Sequence, residues 1–99
     1  MKVHENYAGR KVVAVSDADI LDTVLEDTDK GLELKISREF YGENEFELKD
    51  ILQFIVHADN VNVIGNKIVD ALISEKMVDS KNVISIRGVK HAQIYNIAY

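Results

Sequence analysis

Cysteine and proline are both absent from this 99-residue sequence. Without cysteine there can be no disulfide, no thiolate catalysis and no cysteine-ligated zinc or iron–sulfur centre. Without proline no turn is locked by a ring, and no proline-rich linker exists. Long hydrophobic runs are missing too. None approaches the ~20 residues that span a bilayer, and the opening "MKVHENY" has no apolar core of a secretory signal. The expectation is a cytoplasmic protein that does not associate with membranes.

Apolar residues make up 46% and charged residues 29%, the balance of an ordinary soluble globular chain. The length suits one domain over residues 1–99 with a modest core. A net charge of −5 argues against bulk, sequence-independent nucleic-acid binding, which needs many phosphate contacts. The distribution is uneven. Residues 1–15 carry net +2, residues 16–59 carry −9 and residues 76–99 carry +3. If the two basic ends meet, the surface is polarised.

"MKVHENY" alternates, with Met1, Val3 and Tyr7 on one side, as a half-buried strand does. "AGR" turns the chain into the β-branched "KVVAVS", the second strand of a hairpin. The period then changes. Asp17 sits where a helix cap would precede Ile20, Leu21, Val24 and Leu25. Glu26, Asp27 and Asp29 oppose the helix dipole and should stop that helix near Leu25. After a turn at "DKG", "LELKI" reads as a third strand with Leu32, Leu34 and Ile36 inward. "SREFYGENE" reads as a loop. Leu48, Ile51, Leu52 and Ile55 form a helical stripe, "NVNVIG" a short connection or strand, and Ile68, Val69, Leu72 and Ile73 a third helix. "VISIR" and "HAQIYNI" are two strands around "GVK". The pattern predicts an α+β fold, a small mostly antiparallel sheet with about three helices, in the order β-β-α-β-α-α-β-β.

Candidates for chemistry are few. His4, His57 and His91 are far apart and lie in no metal-binding frame, so no metal is expected. In "NVIGNKI", Gly65 opens a helix with Lys67 in its first turn. Free amides at a helix start attract anions, but neither the Walker nor the dinucleotide spacing is present. A pocket that joins Gly65 and Lys67 to Tyr41 of "EFYG" is the place for a small ligand, with His91 as its general base. The serines offer no nucleophile elbow. No cofactor is implied.

The C-terminal strand is more informative. Successive side chains point to opposite faces, so Ala92 and Ile94 share the core face, while His91, Gln93 and Tyr95 share the other with Ile97. The second set is a donor–acceptor–aromatic row of the kind that meets single-stranded bases, flanked by Arg87 and Lys90. An ordinary wet sheet face would look the same.

"SREFYG" (37–42), "NVIG" (62–65) and "GVKHAQ" (88–93), in this order, resemble DUF424, an archaeal family of small proteins of unknown function. The resemblance spans nearly the whole chain, and "GVKHAQ" is its most specific block. Many members carry proline where this chain has Lys90, which here adds a positive charge. The resemblance implies an archaeal cytoplasm, a link to translation or RNA, and neither a cofactor nor catalytic residues. Three functional expectations follow. One is a non-enzymatic module that binds RNA, the ribosome or another translation-related partner through Arg87, Lys90, His91, Gln93 and Tyr95. A second is a protein-interaction module whose acidic 17–29 and 43–50 surfaces meet a basic protein partner. The third is the small-ligand enzyme using His91.

Overall fold

The first hairpin forms where the alternation places it. β1 (Lys2–Glu5) pairs antiparallel with β2 (Lys11–Ser16), Val3 opposite Val13 and His4 opposite Val12. The computed structural model describes residues 1–5, 8–29 and 31–96, without the side chain of Leu32. Tyr7, Lys30 and Ile97, which enter the patterns above, lie outside the described residues.

The expected helix after Asp17 is not there. Ala18–Ile20 makes a single 3-10 turn, and Asp22 takes a positive φ of 67°, which ends any helical path. The chain then runs as β3 (Val24–Asp27) and pairs antiparallel with β4 (Leu32–Lys35). The apolar residues of the presumed helix are still sheltered, since Ile20, Leu21 and Leu25 pack against a buried cluster. The hairpin exposes Glu26, Asp29 and Glu33 to water, where a helix would have set Glu26, Asp27 and Asp29 against its negative end.

"SREFYG" is likewise more than a loop. It forms the one-turn helix α1 (Arg38–Tyr41), capped by the Ser37 hydroxyl, which accepts from the Phe40 amide at 3.2 Å. α2 (Leu48–His57) follows, then the strand β5 (Asn60–Ile64) and α3 (Asn66–Ser74). β6 (Ile84–Ile86) and β7 (Val89–Tyr95) end the fold. Their turn is Arg87-Gly88 rather than "GVK": Ile86 faces Val89 across a two-residue loop. Both loop residues have positive φ, 53° and 80°, as this tight hairpin turn requires.

The strands assemble into a five-stranded sheet in the order β1-β2-β5-β7-β6, and β3–β4 stands apart as a two-stranded ribbon. Only β2 and β5 are parallel. The α+β class, the three helices and the mostly antiparallel sheet are as the patterns predict. The first helix has moved in the order, to α1. On one sheet face, Val13, Val15, Val61, Val63 and Ala92 meet Ile51, Ile55, Val69 and Leu72 of α2 and α3. On the other, Ala14 and Ile64 meet Ile36 and Tyr41. This second cover leaves Gln93 and Tyr95 exposed. Among the described residues, no helix is long and apolar enough to cross a membrane.

Candidate functional site

The side chains of β7 divide as alternation demands. Ala92 is buried and Ile94 packs beneath the helices, while His91, Gln93 and Tyr95 take the opposite face. The five residues proposed together from sequence do not stay together. Arg87 is at the hairpin tip. Lys90 projects to the helical side, where its Nζ lies 2.6 Å from Asp70 Oδ1 and its backbone amide donates to Asn66 Oδ1 at 2.8 Å. His91 is half-buried, facing Ile64 and Ile84 across the strands. Its burial holds the imidazole pKa below the ordinary 6.5, because desolvation disfavours the charged form. His91 is therefore a neutral ring at pH 7 and adds no cation to the row.

Gln93 and Tyr95 remain open, with Tyr95 64% exposed. Gln93 faces Asn62 and Tyr95 faces Asn60 on β5. The Tyr95 hydroxyl donates to Gln93 Oε1 at 2.7 Å, and Gln93 Nε2 donates to Asn62 Oδ1 at 2.8 Å. Asn60 completes the patch, and its buried Oδ1 has no partner among the described residues. The sequence allows "NVNVIG" to be a short connection or a strand, and only the strand aligns the two asparagines. Its alternation was the available signal: Asn60 and Asn62 must face one way if Val61 and Val63 face the core.

The second candidate, Tyr41 with Gly65 and Lys67, does not form a pocket. Tyr41 is 3% exposed within the hairpin-side core, and burial raises its phenol pKa. Lys67 instead lines a cleft of about 340 Å³ with Gly42, Phe46 and Asp17. Neither Tyr41 nor His91 reaches that cleft. The helix start at Gly65 is also already taken. The Asp17 carboxylate accepts from the amides of Lys67 at 2.9 Å and Ile68 at 3.0 Å. These are the groups an external anion would need. Gly65 makes this fit possible. It adopts φ 124°, and a Cβ there would lie 2.5 Å from Asp17 Cγ. Asp17 is thus a helix cap, as its residue type suggests, but of a helix fifty residues away.

Among the described residues no three His, Asp or Glu side chains gather in a metal-binding group. His4 donates through Nε2 to the Phe40 carbonyl at 2.7 Å and stacks on the Phe40 ring, and His57 is exposed on α2.

A family model described as "Protein of unknown function (DUF424)" matches residues 5–97. The chain belongs to the DUF424 family. A crystal structure described as that of an uncharacterized conserved protein from Methanopyrus kandleri superposes with a TM-score of 0.76 at 23% identity, covering 95% of this chain and 87% of that one. The likeness is one of fold. No curated protein matches. In this DUF424 chain the motif blocks now have geometric roles. "SREFYG" caps α1 and buries Tyr41, "NVIG" leaves room at Gly65 for the Asp17 carboxylate, and "GVKHAQ" places Gly88 in the turn, Ala92 in the core and Gln93 on the open face.

Proposed function

We propose that this DUF424 chain is a binding module that takes single-stranded RNA on the open part of its sheet face. The observation that carries the reading is the Tyr95–Gln93–Asn62 hydrogen-bond chain. It holds two carboxamides and a phenol in a fixed row, so little side-chain entropy is lost when a ligand arrives. Tyr95 offers a ring on which a base stacks, and Asn62 and Gln93 offer amide edges for its polar atoms. The link to translation or RNA that the family resemblance implies points the same way.

The placement of charge alters the expected character of binding. Lys90 is engaged by Asp70 across the sheet, and Arg87 lies at the far end of β7 from Tyr95. Bases rather than phosphates supply the contacts. With one or two phosphates neutralised, affinity should fall less than about tenfold between ~50 and ~200 mM salt. A duplex hides its bases and should bind far more weakly than a single strand. Fluorescence anisotropy with matched single- and double-stranded RNA at both salt concentrations tests this. A steep salt dependence, or a preference for duplex, contradicts the reading.

A further inference from the structure

The opposite face of the molecule carries a second, independent feature. Phe46, Leu48, Phe54 and Val56 are all exposed large apolar side chains within one short stretch, residues 46–56. Phe46 and Phe54 are 40% and 41% exposed, and their rings meet edge to face at 6.1 Å. Beside Phe54 runs a groove of about 320 Å³ between β1 and α2, floored by Val3, Val13 and Ala58. Val3 and Val13 belong to the helical face of the sheet, so this groove lies across the sheet from Tyr95. Phe46, Phe54 and this groove make an exposed apolar patch, and such a patch, rimmed by polar residues, marks an interaction surface.

We infer that this surface docks a basic segment of a partner protein that carries an apolar anchor. The charge pattern selects the occupant. Residues 43–50 hold Glu43, Glu45, Glu47 and Asp50 against Lys49 alone. Arg38 engages Glu43 and Lys49 engages Glu47, which leaves Glu45 and Asp50 without ion pairs among the described residues. Asp50 lies four residues before Phe54 and so shares its helix face. A second copy of this chain would set these acids against their own counterparts. A cationic segment meets no such repulsion. Its apolar side chain fills the groove, and an arginine or lysine lies over the Phe46 and Phe54 rings, where the quadrupole attracts a cation, beside Glu45 and Asp50. Lys11 and His57 also line the groove, so the basic flank must point away from them, toward Glu45.

The test uses isotope-labelled whole protein and two synthetic amphipathic peptides of the same apolar pattern, one rich in lysine and arginine, the other in glutamate. The basic peptide should shift amide resonances in residues 43–57, bind more weakly as salt rises, and lose about tenfold or more in affinity in F46S/F54S. Should that pair of changes unfold the protein, E45K/D50K, which alters only exposed side chains, must give the same loss. Equal binding of the acidic peptide overturns the inference, as do shifts confined to β5 and β7. So does a dimer in sedimentation that F54S dissolves, which would make a second copy the occupant. Failure of RNA binding at Tyr95 leaves this surface untouched, and the two outcomes are read separately.

Discussion

Asp17 and Gly65 form a lock between residues distant in sequence, and the lock makes a quantitative prediction. D17A removes two amide acceptors from the α3 terminus and should cost about 1–2 kcal/mol. G65A places a Cβ against Asp17 in a backbone region that suits glycine and should cost about 2–4 kcal/mol. In the D17A background the two 2.5 Å contacts are gone and only the one to Cβ, at 2.9 Å, remains, so G65A should cost at least ~1 kcal/mol less there. A denaturant double-mutant cycle reads this directly, and simple additivity would mean the two residues do not act as a pair. His91 predicts a pH effect. Its folded pKa is depressed, so its contribution to stability is complete above the free value of ~6.5 and is lost as pH falls through the folded value. The wild-type unfolding midpoint should drop across this acid range more than that of H91Q. Parallel curves would show that the imidazole is not desolvated.

At the scale of elements, strand β7 was legible and the segment after Asp17 was not. Alternation alone separates Ala92 and Ile94 from His91, Gln93 and Tyr95, because a strand that buries one face has no freedom of register. The stripes of α2 and α3 were legible for the same reason. Residues 20–25 have apolar spacing compatible with a helix, and Ile20, Leu21 and Leu25 are partly buried, but in a ribbon and a 3-10 turn. What decides is Asp22 at positive φ and the pairing of Leu25 with Leu34, which is tertiary information. The β6–β7 turn gives a further prediction. Arg87 holds a left-handed conformation that asparagine adopts at lower cost, so R87N should stabilise by about 0.5–1 kcal/mol. Six residues of strand at ~3.3 Å each separate Val89 from Tyr95, roughly 20 Å. R87N should therefore leave RNA affinity nearly unchanged. A large loss would place the turn inside the binding site.

For the whole molecule, the sheet divides the surface into two sides. α2 and α3 cover one face and leave an acid-rimmed apolar patch on their outside. The ribbon and α1 cover part of the other and leave the amide row open. Alternation sorts the β7 residues between the two faces, but which face the helices occupy and which the ribbon covers depends on packing rather than on period. The Asn60–Asn62 contribution was readable from alternation, whereas the capture of Lys90 by Asp70 needed the juxtaposition of α3 and β7. The most direct test of the sheet-face account is the titration of single-stranded RNA against the wild type, Y95F and Y95A. Stacking on an aromatic ring is worth about 1–3 kcal/mol per base. Y95A should bind roughly 5- to 150-fold more weakly, and Y95F, which keeps the ring but loses the hydroxyl's bond to Gln93, should fall between Y95A and the wild type. Equal affinity for all three, or no RNA binding at low salt, would contradict it.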